Sequence, residues 1–185
     1  MKILILADLH KEFAPFDAPA TDADVVILAG DTDLNTKGVI WAKVAFPDKP
    51  VIFVPGNHEY YGEEYQDLRD KMQNLAAGSN VHVLDCDKYE QDGVVFLGAT
   101  LWTDFSLLNN RLLAMLAAQG GINDFKRSRM APAQKSFLPE DAIRIHSREK
   151  DWLKKELQAL PEERSWWSLT IFRRFCRSRS GINTI

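Results

Sequence analysis

Long hydrophobic runs are missing from this sequence. No apolar stretch approaches the ~20 residues needed to span a bilayer. Only four strongly apolar residues, 3–6, precede Asp8, too few for the apolar core of a secretory signal. No membrane partner is therefore expected, and a cytoplasmic location is. Cysteine is scarce: Cys86 and Cys176 are the only two and neither sits in a CxxC pair, so a disulfide framework or a zinc–thiolate site is not expected. Internal repeats and low-complexity tracts are absent. Acidic residues stop at Glu163, after which come Arg164, Arg173, Arg174, Arg177 and Arg179. Without those five, 18 basic residues face 26 acidic ones, a net charge of −8 over residues 1–163. Such an acidic body argues against broad binding to a nucleic-acid backbone, so nucleic acid is not an expected partner except as a substrate.

What is present suits one globular domain: 185 residues, 45% hydrophobic and 26% charged. Three compact apolar runs, KILILA at 2–7, VVILA at 25–29 and VIFV at 51–54, read as buried strands. Helices are expected over 36–46 and over 62–77, where Tyr65, Leu68, Met72 and Leu75 share a face. Short strands are expected at 81–84 and 94–97 around a turn at Asp92-Gly93. Residues 107–119 read as an apolar helix, 120–138 as irregular, and 139–160 as a long amphipathic helix. Pro139 suits the first turn of that helix, and Glu140 and Asp141 suit its positive end. Strands alternating with helices indicate an α/β fold with a largely parallel sheet core.

In such sheets the site lies beyond the carboxyl ends of the strands. There the sequence places Asp8-Leu9-His10, Gly30-Asp31 and Gly56-Asn57-His58-Glu59. If the first segment stays extended, Asp8 and His10 point the same way. The Pro55-Gly56 turn lets backbone approach a ligand closely. Carboxylate, imidazole and amide oxygen form a mixed oxygen–nitrogen donor set suited to Mn²⁺, Fe, Zn²⁺ or Co²⁺. Asp-Leu-His or Gly-Asp alone is weak, since both are common turn chemistry. Gly-Asn-His is sharper, arising by chance about once in 8,000 positions at ~5% per residue type. Of the other histidines, His82 in a VHVL strand reads as structural and His146 as lying on a solvated helix face. Trp102 and Asp104 are open between rimming the site and packing a loop.

These motifs, with FLGATLWTDF at 96–105, resemble the calcineurin-like metallophosphoesterase family, in particular its small bacterial and phage members, over residues 1–160. The resemblance implies a β-sandwich flanked by helices, a two-metal site and hydrolysis of phosphoric esters, either phosphatase or phosphodiesterase. It implies that Asp8 and His10 hold the first metal, that Asp31 bridges both and that Asn57 holds the second. His58 becomes the proton donor to the leaving alkoxide or a clamp on the phosphate. The substrate class is not readable from these residues.

The family pattern also asks for three further histidines after the long helix, and none follows His146. The first metal would keep Asp8, His10 and Asp31, and the second only Asp31 and Asn57, so at most partial occupancy and impaired activity are expected. Residues 1–165 read as an incomplete phosphoesterase domain and 166–185 as a non-family tail, with the C-terminal strands missing. A shifted reading frame accounts for the tail. Trp166-Trp167 must be encoded TGGTGG, which yields valine out of frame, and the codons that follow permit Val-Val-Thr-His-His-Phe-Pro. Lost strands would expose sheet edges and favour self-association. A catalytically inactive scaffold or binding protein is the competing expectation. A nucleic-acid binder using the arginine-rich tail ranks below both.

Overall fold

A computed structural model describes residues 1–107, 110–132 and 134–160, together with the backbone of 166–170. Its centre is a parallel sheet in the order β1 (Ile3–Leu6), β2 (Val25–Ala29), β3 (Val51–Val54) and β4 (Val81–Val83). All three pairings are parallel, with Ile5 opposite Ile27 and Ile27 opposite Ile52. The crossovers carry helices α1 (Lys37–Ala45), between β2 and β3, and α2 (Tyr65–Ala76), between β3 and β4. Because strand side chains alternate, Val26, Leu28, Val51 and Phe53 face one way and pack with Val39 of α1 and with Leu68 and Met72 of α2. Val25, Ile27, Ala29, Ile52 and Val54 face the other way, against Leu84 and Phe96.

That second face is covered by another sheet, ordered β5 (Asp87–Gln91), β6 (Val94–Ala99) and β9 (Trp166–Thr170). Between β6 and β9 lie α3 (Arg111–Gly121), α4 (Asp124–Arg127), the short pair β7 (Arg129–Met130) and β8 (Lys135–Ser136), and α5 (Pro139–Ala159). Gly98 lets the two sheets approach closely, since a Cβ there would lie 2.4 Å from Leu84 Cβ and 3.0 Å from Val54. Val95, Leu97 and Ala99 point away from the first sheet and pack on Leu153 of α5. The fold is thus α/β, a two-sheet sandwich flanked by helices, as expected. No helix among the described residues is long and apolar enough to cross a membrane.

Several local expectations need correction. Among the described residues the run KILILA forms an edge strand rather than a buried one, and Ile5 is 54% exposed. It is apolar, but only β2 pairs with it among the described residues. The polar strand β5 was not legible, because DKYEQ carries no apolar alternation and is held by pairing with β6 across the Asp92-Gly93 turn. Both turn residues have positive φ, 52° and 76°. The stretch 120–138 contains α4, β7 and β8 rather than irregular chain. Past residue 165, the backbone of β9 pairs in parallel with β6 from Val95↔Trp166 to Ala99↔Thr170. The rest of the 166–185 tail, Cys176 included, lies outside the described residues, as does Arg164.

The long helix α5 begins as its sequence indicates. Pro139 occupies the first turn, where no N–H is needed, and Asp141 accepts the Leu138 N–H at 3.0 Å. Its His146 is half-buried rather than solvated: Nδ1 bonds the Trp102 carbonyl. That bond ties the chain after β6 to α5. Trp102 is itself buried against Tyr60, Tyr65 and Phe137, which makes it loop packing rather than a rim residue. Asp104 accepts hydrogen bonds from Ser106, and His82 stacks on Tyr89 with ring centroids 4.1 Å apart.

Candidate metal centre

The ends of β1, β2 and β3 meet at one edge of the parallel sheet, and their loops are joined by backbone hydrogen bonds. Asp8 N–H donates to the Gly30 carbonyl at 3.1 Å, His10 N–H to Asp31 at 2.9 Å and Lys11 N–H to Thr32 at 3.0 Å. The segment is not extended, as the two-residue spacing had suggested. Asp8, His10 and Asp31 all adopt left-handed backbone, with φ of 51°, 46° and 51°. Such conformations are costly for residues with a Cβ and persist where the surroundings over-determine them. Here they aim three donor groups at one point. His10 Nε2 lies 3.7 Å from an Asp8 oxygen and 4.0 Å from Asp31 Oδ2. One donor atom from each of the three residues lies within 4.8 Å of the others.

The third loop adds the rest. Gly56 is required by contact: a Cβ there would lie 2.2 Å from Asp31 Oδ1 and 2.6 Å from the Asp31 nitrogen. The closeness lets the His58 N–H donate to Asp31 Oδ1 at 3.0 Å. Glu59 is fully buried and accepts N–H bonds from Asp31 (3.1 Å), Thr32 (2.7 Å) and Gly56 (2.7 Å). One carboxylate so clamps the loops after β2 and β3 together. Burial and the neighbouring Asp31 nevertheless push its carboxyl up to about 8.

Asn57 is buried, and its amide nitrogen donates to Asp124 Oδ1 at 2.6 Å and to the Tyr61 hydroxyl at 3.2 Å. Tyr61 donates its own hydroxyl to Asp124 Oδ1 at 2.5 Å, and burial together with that carboxylate raises its pKa far above the phenol range. The His58 ring lies between His10, which it meets edge-on, and Tyr61, to which it is tilted, each at a centroid distance of 4.5 Å. Glu12 lies beneath the two histidines, 2.7 Å from His58 Nδ1 and 3.3 Å from His10 Nδ1. Burial opposes its charge, but the hydrogen bonds from His58 and His10 prevail and hold its carboxyl below the usual range.

Of the five residues singled out from the sequence, Asp8, His10 and Asp31 share one donor cluster, His58 adjoins it through His10, and Asn57 lies between Gly56 and His58 with its amide nitrogen on Asp124. The residues not foreseen in these roles are Glu12, Glu59, Tyr61 and Asp124. Glu12 had a local signal, an acid two residues beyond His10, and Glu59 belongs to a quoted motif. Asp124 had none, because its approach to Asn57 spans 67 residues of sequence.

The donor chemistry fits a metal ion at Asp8, His10 and Asp31: two carboxylates and an imidazole on a strained, backbone-locked platform. A second ion would share Asp31 and take Asn57. The remaining histidines do not help it, since His82 and His146 are engaged elsewhere. His58 shares its other candidate cluster with His10 and Glu12.

The family model described as calcineurin-like phosphoesterase matches residues 1–180. An uncharacterised protein of Acanthamoeba polyphaga mimivirus is 32% identical over a 62-residue alignment, covering 30% of this chain. The matched part spans 22% of that relative's length. Among solved structures, a phosphopantetheinyl hydrolase from Mycobacterium tuberculosis has a similar fold, with a TM-score of 0.65 at 19% identity. The similarity covers 93% of this chain and 68% of that one.

Proposed function

The chain belongs to the calcineurin-like phosphoesterase family, and from that premise we propose that it is a phosphoric ester hydrolase whose activity is impaired at the second metal position. The observation that supports the first half is the convergence of Asp8, His10 and Asp31 on one point, with Asn57 brought alongside by Gly56. A bound pair of divalent ions supplies Lewis acidity, lowering the pKa of water and neutralising charge on the transferring phosphoryl group. The chain's own residues position that chemistry. Asp8 and His10 would hold one ion, Asp31 both and Asn57 the other. His58 has its Nδ1 held by Glu12 at 2.7 Å, which leaves Nε2 as the nitrogen able to give a proton to the leaving alkoxide.

The second half of the proposal rests on the histidine count. The sequence has four, at 10, 58, 82 and 146, and the last two lie outside the site. Asp31 and Asn57 alone are few donors, so they would hold a second transition metal only weakly against water. The competing reading, an inactive scaffold that binds without turnover, draws on the same shortage. A shifted reading frame after residue 165 supplies what is missing. Strand β9 runs parallel to β6, so its C-terminal end lies at the same edge as Ala99. The next residue, Thr100, donates its hydroxyl to the Pro55 carbonyl at 2.8 Å, beside Gly56 and Asn57. Histidines placed directly after β9 would arrive on the side that lacks donors. Mn²⁺-dependent hydrolysis of bis-p-nitrophenyl phosphate, with metal content measured alongside, tests the reading. The chain should turn over slowly with sub-stoichiometric metal, and restoring the downstream frame should raise both. Two tightly held metals and robust turnover in the chain as it stands would overturn the impairment.

A further inference from the structure

An asparagine ligand poses a problem that a carboxylate does not. Its side chain ends in an oxygen and an NH₂ of nearly the same shape, and only the oxygen coordinates a cation. Something must decide which end faces the metal. In this chain the Asn57 Nδ2 faces Asp124 Oδ1 at 2.6 Å and the Tyr61 hydroxyl at 3.2 Å. All three residues are buried, at 8%, 3% and 4% exposure, so water cannot substitute for a lost partner. The Tyr61 hydroxyl spends its single proton on Asp124 at 2.5 Å, which leaves it only an acceptor toward Asn57.

We propose that Asp124 is a positioning residue: together with Tyr61 it presents two acceptors to the Asn57 NH₂ and thereby turns Oδ1 toward the second metal position. The opposite rotamer would set the Asn57 oxygen against a carboxylate oxygen and a hydroxyl with no proton to give, an unpaired buried contact on both sides. Donation to a carboxylate also draws electron density onto the amide oxygen and makes it a better ligand, as outer carboxylates do for metal-bound histidines. Asp124 comes from α4, in the segment between β6 and α5. The orientation of a ligand after β3 is thus set from a separate part of the chain, where Gly62 N–H also bonds the Arg127 carbonyl at 2.9 Å. This inference rests on the metallophosphoesterase reading for its metal, but the amide orientation can be tested without one.

The experiment uses the metal-free chain and two variants, Asp124→Leu and Asp124→Asn. In ¹H–¹⁵N spectra the Asn57 side-chain NH₂, assigned by its loss in Asn57→Ser, should be shifted downfield and slow to exchange in the wild type. In Asp124→Leu it should move to free-amide positions and exchange faster, and Asp124→Asn, which keeps an acceptor oxygen, should restore most of the difference. Mn²⁺ titration should then show the weaker binding event falling by about 10-fold or more in Asp124→Leu. The tighter event, at Asp8, His10 and Asp31, should stay within about 2-fold, as expected for a site with no contact to the change. Unchanged Asn57 signals in both variants would overturn the proposal, as would an equal loss at both metal positions that Asp124→Asn does not rescue. A wild-type chain that binds no Mn²⁺ at all would overturn the metal reading instead, and the Asn57 signals would then decide the orientation alone. Where Asp124→Leu does not fold, Tyr61→Phe, which removes the other acceptor, should shift the Asn57 signals in the same direction, and unchanged signals there would overturn the proposal.

Discussion

The two halves of the site are built on different terms. The Asp8–His10–Asp31 half is made by neighbouring parallel strands whose loops bond to each other through the backbone, so its geometry follows from strand order. The Asn57 half depends on a carboxylate from α4 and on a short contact between β3 and the chain after β6. The first half is over-determined: left-handed backbone at three donors is held by N–H bonds and by Glu59. The second hangs on individual side chains brought from far along the sequence. Loss of one long-range partner should therefore damage the second half selectively, whereas damage to the shared carboxylate should remove both.

The largest effect is expected at the residue common to the halves. Asp31→Asn should reduce Mn²⁺-dependent hydrolysis to background and abolish both binding events, because an amide cannot bridge two cations as a carboxylate does. Turnover and metal content of the variant check this, and retention of the tighter event would show that the halves are more independent than the geometry implies. Next comes the seam between them. Gly56→Ala forces a methyl into the Asp31 carboxylate and backbone. Overpacking of this kind should cost about 1–3 kcal/mol in denaturant-induced unfolding, with weakened metal binding. An unchanged midpoint would mean the loops can part without cost.

A smaller effect should appear in the pH response of stability, away from both halves. Glu149 of α5 is fully buried, and burial together with Asp85 pushes its carboxyl up to about 8 from an ordinary 4.5. Between those values the folded chain keeps a proton that the unfolded chain has released. Stability is then greatest below the unfolded value and declines as pH rises through 4.5 to about 8. Glu149→Gln should flatten that decline in thermal unfolding of the metal-free chain, with Glu59 supplying a residual slope of the same sign. An unaltered slope would place the proton elsewhere. Smallest of all should be Ile5→Thr. Ile5 is 54% exposed on an edge strand, so stability should change by no more than about 0.5 kcal/mol and the tighter metal event not at all. A large loss would mean that burial of β1, rather than the bonding of its loop, sets the geometry of the first half.

Exposed Ile5 shows where strand reading stops. Apolar pattern reports that a segment can be buried, but burial needs a neighbour, and β1 has one only on its β2 side among the described residues. Strand β5 fails in the opposite sense: five mostly polar residues become a strand because the turn at Asp92-Gly93 folds them onto β6. The helices α1, α2 and α5 are legible because each buries one stripe, and α5 also carries ordinary start signals.

What the sequence alone determined is the donor inventory and its approximate place. Three apolar strands, each ending in polar residues, put Asp8, His10, Asp31, Asn57 and His58 at one sheet edge, because parallel strands share the end where their loops emerge. Only the tertiary structure decided how those residues become a site. The left-handed turn at Asp8 and His10, the clamp by Glu59, the Glu12 carboxylate beneath two histidines and the hold of Asp124 on Asn57 all depend on contacts between chain segments. Periodicity and local motif carry no information about such contacts, since hydrogen bonds between loops depend on distances that exist only once the sheet and its covering helices have closed around them.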